Sequence, residues 1–128
     1  MAGKPLLAGE VEALREQGLS IVSCYQFGKG PTADWRGGLE AGKKHAERGL
    51  ELHLAAGGPD GVYANAPTIE LARVAGLGAW YWQHNWGTPK GFVHPGAHLH
   101  QFEIDKRTVD GIGVDVNDIL KPQYGQWS

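Results

Sequence analysis

Asp115 is the carboxylate whose setting best suits chemistry. In Val114-Asp115-Val116-Asn117 a strand would send the two valines to one face and Asp115 with Asn117 to the other, so two polar groups share one opening. Glycoside cleavage uses two carboxyl groups across the scissile bond, one protonated as acid and one ionised as nucleophile, base or electrostatic helper, and Asp115 is the candidate for a member of such a pair. A solvated turn carboxylate, or a cap for Asp118-Ile119-Leu120, is the competing reading. Glu103 and Asp105 lie beside the charged turn Asp105-Lys106-Arg107, and Asp34 precedes a helix and reads as its cap. Trp35, Trp80, Trp82 and Trp86, together with Gln83, Asn85, Gln101 and Asn117, form the aromatic and amide vocabulary of a sugar site. Core packing competes for each tryptophan, and only alternate positions such as Trp80 and Trp82 share a strand face.

Other chemistries find less support. His98 and His100 are two apart on an expected strand, with His84 and His94 on neighbouring segments, which allows a metal-dependent hydrolase built on His84, His98 and His100 as a third reading. No HExxH pattern accompanies them, so no metal and no cofactor is expected. His45 and His53 read as surface residues of a long helix. There is no GxSxG elbow, and Gly28-Lys29-Gly30 lacks the Walker spacing and ending.

The elements that must position these groups alternate. Leu7, Val11 and Leu14 recur at helical spacing and Gly18 marks the stop; LSIVSCYQF then has the composition of a buried strand, ended by Gly28, Gly30 and Pro31. A long helix is expected from Ala33 to Ala56, because Trp35, Leu39, Gly42, Ala46, Leu50 and Leu54 fall three or four apart. After Gly57-Gly58 come the strand GVYAN, Asn65 as N-cap with Pro67 in the first turn, and a third helix to Val74. AWYWQHNW, a Gly/Pro loop over 87–96, the strand AHLHQFEI, a turn through Lys106 and VDGIGVDVNDIL complete the chain. This order predicts a parallel α/β fold with polar residues collected at strand ends: Tyr25-Gln26, Tyr63 to Asn65, Trp82 to Asn85, Gln101 to Glu103 and Asp115 to Asn117. Such a rim suits a sugar.

Composition sets the outer limits. The 128 residues are 41% hydrophobic and 20% charged, with no repeat or linker, which fits one domain over 1–128. Twelve basic against fourteen acidic side chains leave no field for nucleic acid or an anionic membrane surface, so neither is an expected partner. The single Cys24 excludes an intrachain disulfide framework. Residues 1–24 lack the apolar core and cleavage site of a signal peptide, and no window reaches the roughly 18 apolar residues that span a bilayer, so export would need another route.

KPLLAGEVEALREQGLSIVSCYQ, the long helix ending HLAAGGPDG, GVYANAPTIE, WYWQHNWG and above all HLHQFEIDKRTVDGIGVDVNDILKPQYGQW resemble the glycoside-hydrolase-like domain of actinobacterial secreted proteins and phage lysins. That domain is similar to family 25 lysozymes, modified (β/α)8 barrels that cut the glycan of peptidoglycan. The resemblance covers most of the chain. It implies a catalytic role for Asp115, as the carboxylate of the last barrel strand, and substrate contacts for Tyr25, Gln26, Gln83 and Gln101 at strand ends, beside the Trp82 and Asn117 of the rim. It also implies peptidoglycan or a related glycan as partner, and action at the cell wall, outside the cell or after phage-type release. Relatives carry an Asp-bearing first strand and another strand before KPL, and between GGPDG and GVYAN a strand with the proton donor followed by a helix; here both pieces are missing. A closed barrel uses about 200–250 residues. A partial TIM-barrel-like domain of five or six strands and three helices is therefore expected, with open sheet edges through which copies could associate, and with weak or absent hydrolysis. A glycan-binding module without chemistry is the alternative.

Overall fold

The structure, a computed structural model, describes residues 7–22, 24, 30–32, 34–56, 58 and 61–127. It divides into two compact units, Met1–Asp60 with Gln126–Ser128, and Gly61–Gly125. The boundary between Asp60 and Gly61 falls within the stretch where relatives were expected to carry an additional strand and helix.

In the first unit, helix α1 (Ala8–Glu16) buries Val11 and ends before Gly18, whose φ of 77° is the left-handed conformation that suits glycine. A short 3-10 turn (Asp34–Gly37) precedes helix α2 (Gly38–Ala56), so the long expected helix is α-helical only from Gly38. Its regular leucines do not form a buried stripe: Leu39, Leu50 and Leu54 are exposed, while Gly49 and Ala56 are buried. Over the described part of LSIVSCYQF the expected strand is a single antiparallel bridge, Ile21 to Trp127, with reciprocal N–H···O bonds of 2.9 and 3.1 Å. β-rich composition becomes a strand only where a ladder partner is present. Gly58 packs against Trp127 so closely that a Cβ would lie 2.6 Å from the indole ring.

The second unit carries the sheet. Strands β1 (Gly61–Ala64), β2 (Trp80–Gln83), β3 (Leu99–Val109) and β4 (Ile112–Ile119) lie in that order, with β1/β2 and β2/β3 parallel and β3/β4 antiparallel. Helix α3 (Ala66–Val74) connects β1 to β2. It begins where its local chemistry requires: Asn65 Oδ1 accepts from Thr68 N at 3.0 Å and Pro67 occupies the first turn, where its missing N–H costs nothing. Ile69 and Ala72 of α3 pack on Val62, Ala64 and Tyr81, and the complete burial of Ile69 contributes about 1.5–3 kcal/mol. Tyr81 keeps its hydroxyl satisfied by donating to Leu77 O at 2.9 Å and Gly78 O at 3.1 Å.

The fold is thus mixed α/β, with three helices and a four-stranded sheet among the described residues where five or six strands were expected. The last pair corrects the expectation of an all-parallel sheet. No turn occurs at Lys106; β3 runs through it, and the chain reverses at Asp110-Gly111, whose φ values of 50° and 79° suit a tight two-residue hairpin loop. Within β3 the register with β4 slips between Gln101 and Glu103 and again between Glu103 and Arg107, and Asp105 adopts a φ of 53°. The charged run DKR is therefore a bulge in a strand.

Candidate functional site

Strand alternation and α3 together decide which side chains are available. Val62, Ala64, Tyr81 and Gln83 face α3; Tyr63, Trp82, Gln101, Asp115 and Asn117 occupy the other face, each strand supplying at least one. Because β3 pairs its first residue, Leu99, with Trp82, Gln101 stands past the carboxyl end of β2.

On that open face the polar groups are linked. Tyr63 OH donates to Gln101 Oε1 at 2.5 Å, and Gln101 Nε2 donates to Asp115 Oδ2 at 2.9 Å. The bulge at Asp105 aims its amide at the other carboxylate oxygen, Asp115 Oδ1, also at 2.9 Å. Trp82 Nε1 donates to Asn117 Oδ1 at 2.8 Å, and the Trp82 and Tyr63 rings meet edge to face with centroids 4.9 Å apart. Gln101 is buried and Asp115 exposed, so the carboxylate is the solvent-facing end of a fixed relay.

The sequence reasoning separates accordingly. Trp82, Gln101, Asp115 and Asn117 come together as expected of a rim; Tyr25 and Gln26 lie outside the described residues. Gln83 departs from its expected substrate contact. It is completely buried on the α3 face, its Nε2 donating to Phe92 O at 2.8 Å and its Oε1 accepting from His94 N at 2.7 Å. Gln83 therefore holds the β2–β3 loop. His94 extends this clamp: its Nδ1 accepts from Gly96 N and its Nε2 meets Glu70 Oε2, each at 2.9 Å. Hydrogen bonds from Arg73 and then from His94 hold the Glu70 carboxyl at about 2, well below its ordinary 4.5.

Tyr63 belonged to the rim by its position in GVYAN, but its tie to Gln101 needs a register that local sequence does not contain. The histidines do not converge: His98 Nδ1 accepts from Tyr81 N at 3.1 Å, and His100 Nε2 bonds Asn85 Oδ1 at 2.8 Å. Among the described residues no group of three His, Cys, Asp or Glu side chains could hold a metal ion. His84 follows β2 on the open face, its ring 4.9 Å from that of Tyr63 and 5.0 Å from that of Trp86. Burial pushes its pKa down, and its Nδ1 is buried with no hydrogen-bond partner among the described residues. Trp80 shares the Trp82 face but is occupied by packing, against His98 and against Gly125, whose φ of 83° and lack of a side chain permit the approach.

Comparison with known proteins places the chain in a family. The family described as "Rv2525c-like, glycoside hydrolase-like domain" matches over residues 1–65. The chain is 51% identical to a Mycobacterium tuberculosis (strain ATCC 25618 / H37Rv) protein named "Putative peptidoglycan hydrolase Rv2525c", with all of this chain and 69% of that protein covered. That match extends over 165 residues against the 128 of this chain, so at least 37 positions of the relative stand opposite gaps here. Two crystal structures of the M. tuberculosis Tat-secreted protein Rv2525c superpose on the whole chain and on 81% of theirs. The complex with L-tartrate has 50% identity and a TM-score of 0.83, and the complex with HEPES has 49% and 0.82.

Proposed function

Since this chain belongs to the Rv2525c-like family of glycoside hydrolase-like domains, we propose that its open sheet face is a site for the glycan of peptidoglycan, with weak or absent hydrolysis. The single observation that carries the site is the environment of Asp115. Both of its oxygens accept N–H donors, from Gln101 and Asp105, and an N–H can only donate. This is the geometry of a carboxylate serving as acceptor, the part proposed for Asp115 toward sugar hydroxyls. No second carboxyl group is hydrogen-bonded to Asp115 among the described residues, and Glu103 is engaged by Arg107 Nε at 2.6 Å. The resemblance places the proton donor on the strand missing here between the long helix and β1, and the 37 or more positions of the relative that stand opposite gaps support the reading of weak or absent hydrolysis.

What remains suits binding. Trp82 and Tyr63 offer apolar ring surface for the carbon face of a sugar, Asp115 accepts from hydroxyls, and the Asn117 amide nitrogen has no described protein partner and can donate. We read β1, β2 and β3, with α3 on their outer side, as an arc of a (β/α) barrel whose inner face carries this rim. The relative's description as a peptidoglycan hydrolase supports the choice of glycan, and its Tat secretion supports an extracellular or cell-envelope setting. The test is to incubate purified protein with insoluble peptidoglycan, measuring both sedimentation with the wall and release of reducing sugars. Binding without release is expected. Release above the blank would overturn the argument from the missing acid, and absence of both would overturn the glycan assignment.

A further inference from the structure

We propose that Trp82, Tyr63, His84 and Trp86 form a continuous track for an oligosaccharide of at least two sugar rings, with Trp86 the outermost stacking platform and His84 a hydrogen-bond donor along it. This rests on the glycan site proposed above and extends it from one position at Asp115 to a line of contacts.

The four rings touch in sequence. Centroids are 4.9 Å apart from Trp82 to Tyr63, 4.9 Å from Tyr63 to His84 and 5.0 Å from His84 to Trp86, with interplanar angles of 64°, 59° and 58°. The run starts beside the Asp115 relay, where Trp82 is tied to Asn117, and ends at Trp86, which is 57% exposed. Trp82 and His84, both against Tyr63, stand two residues apart along an extended segment, about 6.6 Å, and Trp86 adds a further ring contact to His84, so the run is longer than one pyranose ring.

A tryptophan so exposed would ordinarily be excused as an isolated surface residue. The segment that carries it argues otherwise, because the short turn 84–88 is held at several points. Thr88 Oγ1 accepts from Ala66 N and donates to His84 O, both at 3.0 Å; Thr88 N donates to Asn85 O at 3.1 Å; and Asn85 is bonded by His100. Gly87 has a φ of 68° and comes so close to Asn65 that a Cβ would lie 2.7 Å from Nδ2. Trp86 is thus presented on a fixed turn, and a rigid platform loses little freedom when a ligand covers it.

His84 supplies the polar element. A proton on its buried Nδ1 would be an N–H without an acceptor, a costly arrangement, so the neutral ring carries its proton on Nε2. Nε2 has no described protein partner and can donate to a hydroxyl. Asp115 at the inner end disfavours anions, and ring faces beside a hydrogen-bond donor suit a neutral polyhydroxylated chain with apolar ring faces.

The test uses the full chain and soluble N-acetylglucosamine with its β-1,4-linked dimer and tetramer, measured by isothermal titration calorimetry. Affinity should rise with length in the wild type. Trp86→Ala should weaken the tetramer about tenfold and leave the monosaccharide and the thermal melt unchanged, while Trp86→Tyr should retain most of the affinity. His84→Phe, which keeps a ring, should weaken the tetramer by severalfold through loss of the donor. Length-independent binding, or a Trp86→Ala variant that binds tetramer like the wild type, would overturn the track while leaving the glycan site standing. Failure of the wild type to bind either the oligomers or insoluble peptidoglycan would remove both.

Discussion

Replacing Asp115 by Asn and by Ala should have different effects, because the relay Tyr63–Gln101–Asp115 can be reversed but not shortened without cost. In Asp115→Ala, Gln101 Nε2 loses its acceptor inside a buried environment, a penalty of about 1–3 kcal/mol, whereas the Asp105 amide is exposed and water can take over. In Asp115→Asn, the new amide keeps its oxygen on Asp105 N and turns its nitrogen toward Gln101. Gln101 then flips, presenting Oε1 to that nitrogen and Nε2 to Tyr63, whose hydroxyl accepts as readily as it donates. The relay keeps its three hydrogen bonds and only the hydroxyl proton of the half-buried Tyr63 must turn to water, so stability should stay within about 0.5 kcal/mol of wild type. Urea unfolding followed by tryptophan fluorescence and circular dichroism should separate the two variants by about 1–2 kcal/mol, equivalent to roughly 4–8 °C per kcal/mol in a unit of this size. Equal losses in the two variants, or no loss in Asp115→Ala, would refute the relay. Glycan binding should fall in both, since each removes the charged acceptor.

The clamp behind the site should prove more costly to disturb than the site itself. Gln83→Ala leaves the buried amide of His94 without its acceptor, frees the part-buried carbonyl of Phe92 and opens a cavity where Gln83 was fully buried, so about 2–5 kcal/mol of stability should be lost, with faster hydrogen exchange at the His94 amide; unchanged protection there would contradict the assignment. The acid limb of the stability curve follows from Glu70: a carboxyl lowered from 4.5 to about 2 contributes stability that is complete above 4.5 and is lost as pH falls through 2. Exposure screens the Glu70–Arg73 pair and keeps this limb shallow, and Glu70→Gln should flatten it; a limb that persists in the variant would assign it elsewhere. His84 and His98 have pKa values lowered by burial, with Lys121 adding to the effect at His98, so the fold favours their neutral forms. Stability should be complete above 6.5 and decline as pH drops below it, and paired Gln substitutions should reduce that slope in chemical denaturation. Asn65→Ala should cost about 1 kcal/mol and Asn65→Gly only a few tenths, read from thermal melts, if the cap of α3 is the interaction removed.

Local chemistry alone placed α3, since Asn65, Pro67 and the periodic apolar residues act within one turn of the chain, and it located β1 and the start of β2 to within a residue, while AWYWQHNW runs three residues past the end of β2 at Gln83. It also identified Asp115 and Asn117 as sharing a face, because alternation belongs to any strand. The DKR segment was misjudged as a turn for the same local reason: charge marks solvent, and β3 is exposed there, while the reversal that Asp110-Gly111 permits depends on how far β4 pairs back along it. Direction and register lie beyond local sequence. Gln83 and Gln101 are the same residue type, each near a strand end, yet one clamps a buried loop and the other holds the Asp115 carboxylate. The difference arises because α3 covers one face of the sheet and the β2–β3 offset places Gln101 on the other. Sequence established which groups could recognise a sugar; burial on one face of the sheet decided which of them are left to do so.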